Sequence, residues 1–120
     1  MHRARLAALI LALIVLPARA DEFVAGTEDV PLMPGLVTVT GKSLAFDKPE
    51  GRIVEAEARG PITRAKARDF YNTTLPQLGW SADGADRWRR EGEVLRIVYD
   101  GKDGNLVVGF TLSPQKEPRP

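Results

Sequence analysis

The chain of 120 residues has no cysteine and one histidine, His2. Without cysteine there is no disulfide, no thiolate nucleophile and no cysteine metal site. His2 lies in an N-terminal stretch that reads as an export signal, so the mature chain would hold neither a histidine general base nor a histidine metal ligand. Ser-His-Asp and Cys-His catalysis go with it. Only a carboxylate pair or an oxygen-ligated hard cation remains conceivable. The expectation is a protein that is not an enzyme, with no cofactor and no metal.

Long apolar runs are also missing, apart from Leu6–Leu16. That run follows His2, Arg3 and Arg5, and Pro17 ends it before Ala18-Arg19-Ala20. A basic start, a short apolar helix and a small-x-small site define a cleavable export signal, with the cut expected between Ala20 and Asp21. Eleven apolar residues fall well short of the ~20 needed to cross a bilayer. Membrane contact is therefore expected only through this segment before cleavage, and the mature chain is expected to be periplasmic or secreted. No cysteine follows the run, which excludes a lipid anchor attached there.

Removing residues 1–20 takes away three arginines and no acidic residue, leaving 14 basic against 16 acidic residues, so the net charge falls from +1 to −2. A nucleic-acid partner then has no support in the charge balance. About 100 residues make one domain, too small for a deep enclosed site. The expected division is a signal at 1–20, an extended proline-rich arm at 21–35, an α+β domain at 36–114, and a polar tail at 115–120 expected to be disordered.

In the arm, Pro31 and Pro34 force their preceding residues to be extended. Leu36–Thr40 alternates and is rich in β-branched residues. Ser43–Asp47 and Arg52–Arg59 form a hairpin around Lys48-Pro49-Glu50-Gly51, with Phe46 opposite either Val54 or Ile53. Thr63 is placed to cap a helix whose apolar face is Ala67, Phe70, Tyr71, Thr74, Leu75 and Leu78. Pro76 predicts a kink or a separate last turn near Thr74, and Gly79 a stop. Three strands follow: Arg87–Glu91, Val94–Asp100 and Leu106–Ser113. A two-residue turn at Asp103-Gly104 sets Tyr99 against Val108, Ile97 against Phe110 and Leu95 against Leu112, while Glu91-Gly92 sets Leu95 against Trp88. All these apolar residues share one face, which argues for this register over a one-residue slip. The predicted fold is α+β: a single antiparallel sheet of about five strands, in the order β-β-α-β-β-β, with one helix on one face.

Four features compete for a functional role. In this register Arg87 lies opposite Arg96 with Arg89 beside them, all pointing away from the core. Like charges so placed repel, and arginine suits carboxylate and phosphate. Val94 and Val98 share that outer face with Val107 and Thr111, and apolar residues beside arginine are a common interface composition. The competing reading is a solvated sheet face. Glu55 and Glu57 share a strand face and could act as acid and base, or be plain solvent-facing carboxylates. The aromatic residues fit the core, with Tyr71 and Trp80 expected nearest the surface, where they could line a pocket for a small anionic or lipid-like ligand between helix and sheet. Asp100–Asn105 lacks the spacing of a calcium loop and reads as a turn.

The linear pattern Asp29-Val30-Pro31-Leu32-Met33-Pro34-Gly35, then Phe70-Tyr71, then Leu75-Pro76-Gln77-Leu78-Gly79-Trp80, resembles a class of small bacterial exported or lipoprotein modules. The resemblance covers about Asp29 to Pro114 and rests on turn, helix-face and helix-stop positions. It implies a place in the bacterial envelope and supplies no activity. Together these readings predict a non-catalytic exported module binding an envelope protein or an anionic envelope component through Arg87, Arg89, Arg96, Val94 and Val98. The alternative is a ligand carrier using Tyr71 and Trp80. Full-length chain produced in a bacterium should yield an exported protein beginning at Asp21, as read by N-terminal sequencing.

Overall fold

A computed structural model describes residues 22–115. The expected signal, its cleavage site at Ala20 and Asp21, and all of the tail except Gln115 lie outside the described residues. The elements run β1 (Val37–Thr38), β2 (Leu44–Lys48), β3 (Gly51–Gly60), α1 (Arg64–Gln77), β4 (Ser81–Ala82), β5 (Arg87–Arg90), β6 (Glu93–Lys102) and β7 (Asn105–Pro114). Every pairing is antiparallel, so the fold is α+β with one sheet and one helix.

The sheet has seven strands rather than about five, in the order β1-β3-β7-β6-β5-β4, with β2 also on β3. The excess comes from short pieces. Leu36–Thr40 contributes only two paired residues, and β1 and β2 lie end to end along one edge of the ten-residue β3. The two residues of β4 are too few for any alternation to show.

The long hairpins carry the expected register. Tyr99 faces Val108, Ile97 faces Phe110, Leu95 faces Leu112 and Trp88, and Arg87 faces Arg96. In the first hairpin Lys48 pairs with Gly51 around a two-residue Pro49-Glu50 turn, which sets Phe46 against Ile53. The side chains therefore sort into two faces with period two. Val54, Ala56, Ala58, Trp88, Leu95, Ile97, Tyr99, Val108, Phe110 and Leu112 are buried on the inner face.

Helix α1 begins where Thr63 Oγ1 accepts the Lys66 N–H at 3.1 Å. A second cap comes across space, since the Asp103 carboxylate in the β6–β7 turn accepts the Arg64 N–H at 2.9 Å. No separate last turn forms: the helix is continuous to Gln77, with Pro76 in its last turn. The proline removes the bond to the Asn72 carbonyl, and the loss is confined to the last turn. The Leu78, Gly79 and Trp80 N–H groups close on the carbonyls of Leu75 and Pro76, with Gly79 at φ +93°. Ala67, Tyr71 and Leu75 are buried on the sheet, and Tyr71 meets Phe110 edge-on at 5.6 Å.

The arm is not extended as expected. Residues 22–32 fold back on themselves, with Val24 N–H on Val30 O at 2.8 Å and Leu32 N–H on Glu22 O at 3.0 Å. Gly26, at φ +88°, and the Thr27 hydroxyl, donating to Val24 O, make the bend. Val24, Val30, Leu32 and Leu36 are buried, so the arm completes the core that one helix cannot cover. Its passage over the end of β3 leaves no room for a side chain at Gly60, where a Cβ would overlap the Gly35 carbonyl oxygen. Gly60→Ala should therefore lower stability by about 1–3 kcal/mol, read by urea unfolding, and speed proteolysis within residues 22–36.

Candidate functional site

The outer face of the sheet carries the residues singled out for binding. Arg87 and Arg96 are directly opposed across β5 and β6, and Val94 and Val98 lie on the same face. The two valines differ. Val98 is 48% exposed, whereas Val94 is only 8% exposed, its neighbours being Arg87, Arg89 and Arg96. Arginine stems shield an aliphatic group in this way while their heads stay wet.

The arginine repulsion is partly answered inside the chain. Asp83 Oδ2 lies 3.3 Å from Arg87 Nε and 3.4 Å from Arg89 Nε. Asp83 is held in place by its N–H on Arg87 O at 2.8 Å, in the short β4–β5 connection. Its one signal in the sequence is the four-residue spacing to Arg87, which carries no weight until β4 is known. Arg96 has no ionic partner among the described residues.

Glu55 and Glu57 also point outward from β3, in the same rows as Arg96 and Val98. Among the described residues they form no ion pair, and no group of three metal-ligating side chains occurs. Exposed apolar side chains complete the face: Leu44 at 51% and Phe46 at 44%, both on β2. Among the described residues no element covers them; α1 and the arm both pack on the other side.

Tyr71 and Trp80 do not line a shared pocket. Tyr71, expected near the surface, is fully buried; its hydroxyl donates to Pro31 O at 2.8 Å and accepts from Met33 N–H at 3.1 Å. The arm, whose folding back had no signal in the sequence, is what seals it. The space between α1 and the sheet is filled by Tyr71, Leu75, Leu95, Ile97 and Phe110. Trp80 is buried under the guanidinium of Arg90, 4.5 Å above the ring, and its indole N–H finds no partner among the described residues. It borders an open hollow of about 800 Å³ together with Arg68, Asp86 and Trp88.

A second ionic group had no sequence signal at all. Arg52 from β3 binds Glu93 of β6 at 2.8 Å and Asp29 of the arm at 3.0 Å, and Arg90 of β5 also holds Asp29. Arg90 donates further to Leu78 O at the end of α1 at 3.1 Å. This group sits on the inner face and fastens the arm. No family model, no curated protein and no solved structure matches the chain.

The two tyrosines of the chain both titrate above their ordinary range. Burial is the main cause in each; for Tyr99 the Asp86 carboxylate adds to it while Arg68, 4.9 Å above the ring, opposes it. A folded pKa raised above the unfolded value of ~10 contributes stability that is complete below that pH and lost as pH rises toward the folded value. Stability should hold up to about pH 10 and then fall. In a spectrophotometric titration, phenolate absorbance should appear only together with loss of the near-ultraviolet circular dichroism. A tyrosine ionising at its ordinary pH in the folded protein would contradict this.

Proposed function

We propose that the chain is a non-catalytic, exported binding module whose working surface is the outer face of the sheet. The observation that carries this reading is that face itself. Val98 stands exposed beside Arg96, with Arg87 and Arg89 on the next strand, Leu44 and Phe46 stand exposed at the opposite edge beside Glu55, and no described residue covers them. Isolated exposed apolar residues are ordinary, but several on one flat face rimmed by charge suit an interface. The occupant in this reading is a protein or an anionic component of the cell envelope. The absence of cysteine and of histidine beyond His2 supports a role without catalysis, and the pattern at residues 6–20 supports export.

A carrier function is the weaker reading, since the helix–sheet space is filled and the Tyr71 hydroxyl already has both partners. A photo-reactive side chain placed at Val98 should form adducts in envelope extract, and these should vanish in the Arg87→Glu/Arg96→Glu variant. Adducts formed only from a probe at Asn72, on the exposed side of α1, would overturn the proposal.

A further inference from the structure

The rows of the outer face have a pattern that neither strand shows alone. One row runs Glu55 on β3, Thr111 on β7, Arg96 on β6. Another runs Arg59, Val107, Asp100 on the same three strands. Each row has opposite charges on the strands flanking β7 and a small or apolar residue on β7. None of these four charged side chains forms an ion pair among the described residues, and all four are exposed. Between the two rows β7 carries Gly109, above which a side chain would meet nothing within 4 Å.

From this we infer that the occupant of the outer face is a second copy of the chain, packed face to face about a two-fold axis running along β7. The inference rests on the reading of that face as the interaction surface and names its partner. A two-fold axis along β7 keeps the height along the strands and exchanges the β3 and β6 sides. Glu55 then faces Arg96 of the second copy, and Arg59 faces its Asp100, each pair occurring twice. The outermost strands follow the same rule: Leu44, paired with Glu55, meets the aliphatic stem of Arg87, and Phe46 meets Arg89, a cation–π arrangement. Glu57 faces Val98 and lies diagonal to Arg96. The other two-fold axis, across the strands through Gly109, also sets Glu55 against Arg59 and Arg96 against Asp100, but it stacks Glu57 on Glu57.

Aligned sheets cross at about 30°, which displaces residues one strand from the axis by about 2.5 Å, less than the ~3.4 Å step along a strand. Opposed rows therefore stay in register on β7 and its two neighbours, while the outermost strands are offset by about 5 Å, a gap that the long Arg87 and Arg89 side chains can span. Five strands ~4.8 Å apart and roughly seven residues long give a total contact of roughly 1,000 Å², the size of a weak, reversible interface.

Sedimentation velocity on the purified exported protein should show a monomer–dimer equilibrium in the micromolar range that weakens with added salt. Glu55→Arg and Arg96→Glu should each weaken the dimer at least tenfold while leaving the circular dichroism unchanged. Mixed in equal amounts, the two variants should dimerise as the wild type does, because only the mixed pair restores both contacts. A cysteine at Thr111, on the axis, should oxidise to a covalent dimer faster than one at Asn72. A wild type that stays monomeric through the millimolar range, or a mixture no better than either variant, would overturn the inference. If adducts to other molecules from Val98 persist in that case, the outer face remains the binding surface and only the second copy is wrong. Loss of both would remove the two readings together.

Discussion

A 14-residue helix is about 21 Å long and about 10 Å wide, while the sheet spans six strands about 4.8 Å apart. One helix cannot cover that inner face, and the rest of the structure follows from the shortage. The arm at residues 22–36 supplies the missing cover, burying Val24, Val30, Leu32 and Leu36 beside Tyr71 and Leu75. The joint between the two covers is the Tyr71 hydroxyl. It satisfies a carbonyl and an N–H of the arm that would otherwise be shut away from water without partners. A phenol buried among apolar groups is tolerable only because both of its hydrogen-bonding capacities are used.

Where the apolar cover ends, charges take over. Arg52, Glu93, Arg90 and Asp29 close the end of the inner face under the arm. These groups are partly exposed, so their desolvation is incomplete and the pairing stabilises without the penalty of full burial. The arrangement reaches four separate elements: arm, β3, β5 and β6. Through Leu78 O it also reaches the C-terminal end of α1, where a cation is favoured by the helix dipole. Arg90 lies at the centre, held by Asp29, stacked on Trp80 and bonded to the helix end. Local sequence cannot announce such a group, because its ion-paired residues are separated by 23, 41 and 61 positions.

Period-two patterns were readable wherever a strand was long and a turn was short. In β6 and β7 the alternation and the Asp103-Gly104 turn fix each other, so the whole register follows, including the opposition of Arg87 and Arg96. The helix, its Thr63 cap and its Gly79 stop were readable for the same local reasons. What was hidden is non-local or very short. Pro31 and Pro34 speak for extension of their neighbours only, and a bend at Gly26 returns the chain regardless. The two residues of β4 have no period to detect, and with them went the placement of Asp83 beside Arg87 and Arg89. Pro76 does not end the helix, because the bond that it removes lies in the last turn, which the Leu78, Gly79 and Trp80 N–H groups close.

The same shortage of cover that recruits the arm leaves the opposite face bare. On that face Glu55, Arg96, Arg59 and Asp100 form no ion pairs within the described residues. Strands on either side of β7 are about 9.6 Å apart, where a pair of charges in water attracts by only ~0.4 kcal/mol. Opposite signs so divided make the face polar across the strands, acidic at Glu55 and Glu57 and basic at Arg87, Arg89 and Arg96. The row of Arg59 and Asp100 reverses that sense, which gives the face a two-dimensional code rather than a simple gradient. A featureless anionic surface would match the arginines and clash with Glu55, Glu57 and Asp100. A surface that matches the rows of Glu55 and Arg59 needs the inverse code at the same spacing, and a copy turned about β7 supplies it. The small residues of β7 allow that approach, since Gly109 at the centre presents no side chain to hold the two sheets apart.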